Sequence, residues 1–216
     1  MSINFKNIFI IDWDDTLFPT NWVTTNNIDL RDQQKINKHK LYFLELDKII
    51  SEFIDTLHNY GDIYIVTNAS LRWIATCMHI LPKTKSKIIN NMANIISARE
   101  SYGSKHDSPY DWKINSFRDV LKSYIGKLSL NNKQICNNMR INIMSFGDAD
   151  YEYIALIKVA NFFKDNNIPL RFYLKNVKFI EKPHFDKIIH QVKMLHDNIH
   201  SIIHLRKYVD LALIHN

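Results

Sequence analysis

The chain has 216 residues, of which 46% are hydrophobic and 23% charged, a composition typical of globular proteins that excludes extensive disorder. This length favours one domain, residues 1–216, with a hydrophobic core of ordinary size. The formal net charge of +6 is not concentrated in any block of five basic residues. It therefore favours anionic partners, but it also fits an ordinary solvated surface.

Membrane insertion and export are not predicted. The longest apolar runs, such as residues 8–11 and 63–66, are far shorter than the ~20 residues of a membrane-spanning helix. The first residues lack a basic stretch followed by an apolar core, so no leader is indicated. Cys77 and Cys136 do not form a C-x-x-C pair, and a core of this size needs no disulfide. We therefore expect a cytoplasmic protein without a membrane partner.

Short runs of branched apolar residues alternate with longer segments of helical period, which predicts an α/β fold with a mainly parallel sheet. The predicted strands are residues 8–11, 63–66, 95–97, 141–146 and 170–174. About five strands suffice for a doubly wound sheet with helices on both faces. The expected architecture is a three-layer α/β/α, Rossmann-like fold without a large cap domain.

Apolar stripes at three-to-four spacing predict the helices that cover this sheet. They span residues 46–57, 71–81, 114–124 and 154–162. Gly61 is the expected C-terminal cap of the first, and Pro82 is expected to stop the second. Residues 17–40 are too few for a folded cap and are predicted to form a flap. The tail, residues 183–216, is predicted to form closing helices.

Polar residues follow the predicted strands in a fixed order. They are Asp12 and Asp14 after the first strand, Thr67 and Asn68 after the second, Lys113 at a helix start, and Asp148 with Glu152 after the fourth strand. The carboxyl ends of the strands of an open α/β sheet converge on one crevice. These side chains are therefore expected to meet.

This order resembles the haloacid dehalogenase superfamily, which carries a D-x-D motif, a Ser or Thr, a lysine, and an acidic motif of the G-D-x-x-x-D/E type. The resemblance covers residues 5–165, and the combination of motifs is more specific than any one of them. The opening D-W-D-D-T-L, from Asp12 to Leu17, is similar to that of members from protists and large viruses. The resemblance implies a capless, Mg²⁺-dependent phosphoric monoester hydrolase.

The resemblance also implies the roles of the aspartate pair. Asp12 would be the nucleophile, and Asp14 the general acid and base. The chemistry fits these roles, because a carboxylate can attack phosphorus and a second carboxyl group must protonate the leaving group and activate water. Relatives that cleave carbon–halogen bonds lack an acid at the position of Asp14, so an aspartate there favours phosphatase chemistry.

Carboxylates crowded beside a phosphate need a cation, and Mg²⁺ accepts carboxylate, carbonyl and phosphate oxygens. By resemblance its ligands would be Asp12, the main-chain carbonyl of Asp14, and Asp148. Glu152 would contact the outer waters of the ion or orient Lys113.

Binding of the phosphoryl group is expected to fall to the neighbouring polar residues. By resemblance Thr67 would donate a hydrogen bond to the phosphoryl oxygens and Lys113 would neutralise their charge. Asn68 and Arg99 are further candidates for substrate binding.

Several of these residues have structural alternatives. Thr67 could cap a helix that begins near Ala69, Asp15 is expected to cap the turn after the first strand, and Arg99 could form a surface salt bridge. His196, His200 and His204 share one helical face, where a solvated stripe is favoured over metal ligation because no carboxylate or cysteine partner is evident.

Two positions have competing candidates. Lys105 lies in the same loop as Lys113, and Lys122 lies in the following helix, so either could be the motif lysine. Asp150 could replace Glu152 as the second acid, although the four-residue spacing from Asp148 favours Glu152.

The spacing between motifs leaves little room for a lid. The 45 residues between Thr67 and Lys113 are nearly used up by a helix, a strand and their connections. Capless relatives often act on macromolecules or use a neighbouring subunit as a lid, so a homo-oligomer is possible. The expected substrate is a phosphorylated nucleotide, nucleic-acid end or phosphoprotein. The alternatives are an idle binding module for nucleic acid or protein, and phosphoryl transfer to an acceptor other than water.

Overall fold

The computed structural model describes residues 4–91, 93–131, 139–166 and 170–213, and parallel strands form its centre. In chain order the strands are β1 (Asn4–Ile11), β2 (Asp62–Thr67), β3 (Asn94–Ser97), β4 (Met139–Gly147), β5 (Arg171–Lys178) and β6 (Val209–Ala212). Their order across the sheet is β3-β2-β1-β4-β5-β6, and every pairing is parallel. The predicted α/β class is confirmed, with six strands in the described ranges instead of about five.

Helices cover both faces of this sheet. In chain order they are α1 (Thr20–Thr25), α2 (Gln33–Lys38), α3 (Lys40–His58), α4 (Leu71–Ile80), α5 (Pro82–Asn90), α6 (Ala98–Tyr102), α7 (Pro109–Asn131), α8 (Asp150–Asp165) and α9 (Phe185–His204). Helices α3, α4, α5 and α9 contribute to the hydrophobic cluster on one face, and α6, α7 and α8 to the cluster on the other. The result is a three-layer, Rossmann-like arrangement.

Strand β1 lies at the centre, and residues 8–11 at its carboxyl end are continuously apolar. Phe9 and Ile11 belong to one cluster, and Ile8 and Ile10 to the other, because successive side chains of a strand point to opposite faces. A parallel strand buried on both faces therefore has no polar side.

The prediction that residues 183–216 are helical is wrong beyond His204. Helix α9 ends there, and β6 pairs in parallel with β5 at the edge of the sheet. Val209 and Leu211 flank the polar Asp210 in β6, and alternation of apolar and polar residues is the period of a strand and not of a helix. Residues 214–216 lie outside the described ranges.

One expectation at a helix end is confirmed, and another needs correction. Helix α4 ends before Pro82, but that proline then begins α5 as its first residue, a position that proline favours. Helix α3 ends at His58, with Asn59 as its cap. Gly61 has a different role, because a Cβ atom there would lie 2.2 Å from the carbonyl oxygen of Asn7.

Residues 17–40 contain α1 and α2 and pack onto the domain. Phe18, Trp22 and Val23 of this flap are buried in the hydrophobic cluster that also contains α3 and α4. The flap therefore has a defined conformation beside the carboxyl end of β1.

Buried polar side chains join the sheet to the end of α9. Lys175, fully buried in β5, donates from Nζ to the carbonyl oxygens of Ile202 and Ile203, each at 2.7 Å. Asn142 of β4 donates to Asn7 at 2.7 Å and to Ile203 at 3.2 Å. Burial, and then the neighbouring Arg206, lower the pKa of Lys175 to about 8.

Within the described ranges, no helix has both the length and the hydropathy to cross a bilayer. Cys77 is buried and free, and Cys136 lies outside the described residues.

Candidate active site

Asp12 follows β1 directly and lies between the carboxyl ends of β2 and β4. Its main-chain N–H donates to the carbonyl oxygen of Phe146 at 2.8 Å, which continues the β1–β4 ladder by one residue. Its side chain is buried, and Oδ1 lies 2.6 Å from Nζ of Lys113. The central strand thus delivers one carboxylate to the crevice that the topology creates.

Lys113 is the cation at the centre of this site. It lies in the second turn of α7, is fully buried, and places Nζ 2.6 Å from Asp12 Oδ1, Glu152 Oε1 and the carbonyl oxygen of Val66. Burial alone would lower the pKa of Lys113, but the two carboxylates raise it above its ordinary value. The ammonium therefore stays charged.

The competing lysines are elsewhere. Lys105 is exposed beside the ring of Tyr102, and Lys122 is exposed beside the ring of Phe162. Neither contacts Asp12 in the described part of the chain, so the geometry favours Lys113.

Glu152 lies in the first turn of α8 and is 1% exposed. The turn that places it depends on Gly147, where a Cβ atom would lie 2.4 Å from Glu152 Cγ. Asp150, in contrast, is exposed and forms an ion pair with Lys178 at the surface. Glu152, and not Asp150, is therefore the second acid that faces Lys113.

The carboxylates outnumber the cations in this crevice. Burial and then the charge of Asp12 and Glu152 raise the pKa of Asp148 to about 8. Burial raises the pKa of Glu152 to about 7, despite Lys113, and burial also raises that of Asp12. Glu152 Oε2 is buried without a hydrogen-bond partner among the described residues. This excess of negative charge is the environment in which a divalent cation is bound.

The residues present fit a magnesium ion better than a metal held by protein side chains alone. In the described ranges, no three His, Cys, Asp or Glu side chains are arranged to hold a metal. Mg²⁺, however, needs only one or two carboxylates, and takes carbonyl groups, waters and substrate phosphate as its other ligands. Asp12 and Asp148, with the main-chain carbonyl of Asp14, could provide such a partial site.

Asp14 has a different environment from Asp12. The indole Nε1 of Trp73 donates to its Oδ1 at 2.9 Å, and the hydroxyl of Thr20 donates to the same oxygen. Thr67 Oγ1 donates to Oδ2 at 3.2 Å. Three neutral donors therefore hold Asp14 at the edge of the crevice.

Sequence reasoning missed Thr20 and Trp73. Trp73 is 59 residues from Asp14 in the chain, and it lies within an apolar helical stripe that indicated only packing. Thr20 lies in the flap, where neither its spacing nor its neighbours set it apart.

Thr67 lies at the carboxyl end of β2 and makes two hydrogen bonds. Its hydroxyl donates to Asp14 and accepts from the main-chain N–H of Ala69 at 2.9 Å. Helix α4 itself begins at Leu71, with Ser70 as the cap that accepts from Trp73 N–H. Thr67 therefore orders the loop before α4 and also contacts Asp14.

Asp15 shapes the turn after β1, as predicted. It adopts a positive φ of 53° and accepts from the main-chain N–H of Asn21 at 2.8 Å, which ties the turn to α1. Aspartate tolerates this left-handed conformation better than most residues. Burial raises the pKa of Asp15 to about 6.

Asn68 and Arg99 line one open groove together with Asp14, Thr20 and Trp73, and the groove has a volume of about 440 Å³. Arg99 is exposed and makes no ion pair within the described part of the chain. It is therefore free to meet an anion in that groove.

The histidines on α9 are separate from this site. His196 hydrogen-bonds Thr56 at 2.8 Å, and His200 hydrogen-bonds Tyr60 at 3.0 Å. They connect α9 to α3 and the loop that follows it. They belong to no metal cluster in the ranges described.

The chain was also compared with known proteins. It matches no protein-family model, no curated protein and no solved structure. The chemistry of the site therefore has to follow from its own residues.

Proposed function

We propose that this protein is a Mg²⁺-dependent phosphatase of the haloacid dehalogenase type, which hydrolyses a phosphate monoester through an aspartyl phosphate on Asp12. The observation that carries the proposal is the difference between the two aspartates. Asp12 is buried against a charged lysine, whereas Asp14 is held by neutral donors beside an open groove. One carboxylate is placed for attack and the other for proton transfer.

In the first step an oxygen of Asp12 forms a bond to phosphorus while the bond from phosphorus to the substrate oxygen breaks. Asp14 gives its proton to the departing oxygen, which avoids release of an alkoxide. Lys113 and the hydroxyl of Thr67 offset the charge on the phosphoryl oxygens, and in phosphoryl transfer such stabilisation supplies most of the catalysis.

In the second step Asp14 accepts a proton from water, and the resulting hydroxide attacks phosphorus. The bond between phosphorus and Asp12 breaks, so inorganic phosphate leaves and the carboxylate is restored. Lys113 enters the reaction charged, because its two carboxylate partners raise its pKa. Glu152 holds the lysine toward Asp12 from the other side.

Asp12, Asp148 and the main-chain carbonyl of Asp14 would hold the magnesium ion. When bound, the ion would neutralise charge on the phosphate and the carboxylates. Asp148 supports this part of the proposal, because burial first, and then the charges of Asp12 and Glu152, raise its pKa to about 8, and a bound cation would favour its charged form. Glu152 would act through Lys113 and the waters of the ion.

The test is release of phosphate from a chromogenic phosphate ester, with Mg²⁺ and with a chelator. We expect hydrolysis only with Mg²⁺, and its loss in Asp12→Asn. The matched control is Asp150→Asn, since that aspartate is exposed and pairs with Lys178 at the surface. Equal activity of Asp12→Asn and the control would rule out the proposed nucleophile.

A further inference from the structure

The groove beside Asp14 continues along helix α4, away from the reacting groups. It shares Ser70 and Trp73 with a second segment of about 510 Å³, which lies between α4 and the flap. That segment shares Arg31 and Arg72 with a third, of about 420 Å³. We call this continuous depression the α4 groove.

One wall of the α4 groove is a single face of the helix. Arg72, Ala75, Thr76 and His79 line it, and they are spaced as neighbours on one side of a helix. The opposite side of α4 is buried through Ile74, Cys77 and Met78. Since α4 has 10 residues, the groove along it is about 15 Å long at ~1.5 Å per residue.

Three arginines and two aspartates line the α4 groove, so its formal net charge is +1. Arg99 lies at the end near Asp14, Arg72 and Arg31 lie in the middle, and all three are exposed. The acidic residue in the middle segment is Asp29, and it is already bound to Nε of Arg31 at 3.2 Å. Guanidinium groups suit phosphate because they present several donors in one plane.

An aromatic ring lies at the junction with the catalytic end. Trp73 lines both of the first two segments, is half-buried, and donates to Asp14. Bases of a single strand stack on such rings without regard to sequence. Trp73 therefore joins the groove to the proposed acid.

We propose that the α4 groove binds a single strand of nucleic acid whose terminal phosphate enters the site at Asp12 and Asp14. The proposal rests on the phosphatase function proposed above and names its substrate class. A protein with one phosphorylated side chain has no need of arginines spaced along a groove. A nucleic-acid strand does, because it carries one charge every ~3.4 Å when stacked. The groove thus accommodates about four nucleotides.

Binding can be measured separately from hydrolysis. The probe is a fluorescent, terminally phosphorylated oligodeoxythymidine of about eight nucleotides, twice the length that the groove spans, in the presence of a chelator. We expect Arg31→Ala/Arg72→Ala to weaken binding at least about tenfold at low salt. The slope of log K against log salt should fall by up to about 1.4, which is ~0.7 for each phosphate that an arginine no longer neutralises.

The matched control is Lys48→Ala/Lys158→Ala, which removes the same charge from exposed positions elsewhere. We expect it to bind like the wild type. Equal weakening in both double variants would show that only net charge matters and would overturn the proposal. The proposal would also be overturned if Arg31 and Arg72 were needed to bind a phosphoserine peptide of equal charge but were not needed to bind the oligonucleotide.

Hydrolysis then connects the groove to the site. For the wild type we expect a higher kcat/KM on the phosphorylated oligonucleotide than on a chromogenic ester, and this ratio should fall at least about tenfold in Arg31→Ala/Arg72→Ala. An unchanged ratio would overturn the substrate class. If no ester is hydrolysed but the oligonucleotide still binds through the arginines, the phosphatase function is refuted. The groove then remains a binding surface.

Discussion

At the residue scale, the site depends on one buried cation between two buried carboxylates. Lys113 lies 2.6 Å from both Asp12 and Glu152, and its side chain is fully buried. Removal of one partner from such an arrangement leaves an uncompensated charge inside the protein, which costs far more than the loss of a surface pair.

The first prediction concerns Lys113. In metal-free solution at pH 8, Lys113→Met should lower the free energy of unfolding by about 3–5 kcal/mol, measured by urea denaturation. The double variant Lys113→Met/Glu152→Gln should be less destabilised, because only Asp12 is then left without a countercharge. Lys105→Met is the control and should change stability by less than about 0.5 kcal/mol. If Lys113→Met is as stable as Lys105→Met, the contacts of Lys113 with Asp12 and Glu152 do not contribute to stability.

The residues of the site differ in how far the sequence predicts them. Asp12, Asp14, Thr67 and Asp148 were predictable because each lies at the carboxyl end of a strand or within three residues beyond it, and parallel strands end at the same edge. The donors to Asp14 were not. Their contact depends on how the flap folds over α4, which no local pattern records.

At the element scale, the strands that are buried on both faces were the easiest to predict. Their apolar runs are almost continuous, as residues 8–11 of β1 show. Strand β6 has one buried residue and three exposed ones, so its signal was lost in the helical pattern before it. Helix α5 was missed because Pro82, which ends one helix, also begins the next.

Lys175 lies one residue beyond the strand that the sequence predicts over residues 170–174, and no sequence pattern shows its environment. It is buried under the end of α9, where its ammonium binds two helix carbonyl groups. A cation at a helix C-terminus is favoured by the orientation of the peptide dipoles. Its burial nevertheless lowers its pKa to about 8 from an ordinary value of 10.5.

The second prediction follows from this shift. Between pH 8 and 10.5 the unfolded chain binds more protons at Lys175 than the folded chain, so stability should rise with pH by up to about 1.4 kcal/mol per unit. In Lys175→Met this contribution is absent. The difference in the free energy of unfolding between wild type and variant should therefore change between pH 8 and 10.5. The exposed Lys158→Met should follow the wild type. If the free energy of unfolding depends on pH in the same way in the wild type and in Lys175→Met, the buried ammonium is contradicted.

At the scale of the whole molecule, the fold gathers more negative charge at one edge of the sheet than its own cations offset. Asp12, Asp148 and Glu152 come from two separate strand ends and one helix. Burial is the main cause that raises their pKa values, and repulsion from neighbouring carboxylates raises them further. In the absence of metal, this repulsion opposes folding. A bound cation would convert it into stabilisation.

The third prediction concerns metal removal. Without metal at pH 8, Asp148→Asn should unfold at a higher temperature than the wild type, because the neutral amide avoids the burial and repulsion that oppose ionisation of this carboxyl. Mg²⁺ at about 100 times its Kd should stabilise the wild type by ~2.7 kcal/mol, a rise in Tm of roughly 5–10 °C. This rise should nearly vanish in Asp148→Asn and persist in the control Asp150→Asn. Equal rises in both variants would exclude Asp148 as a ligand.

The central claim is that Asp12 carries the phosphoryl group. The most direct measurement is a reaction with excess phosphate ester and Mg²⁺, quenched rapidly and reduced with borohydride, which converts an aspartyl phosphate into homoserine. Peptide mass spectrometry should then find homoserine at position 12 in the wild type, and none in Asp12→Asn. Steady hydrolysis without homoserine at position 12, or with homoserine at position 14 or 148 instead, would contradict the mechanism.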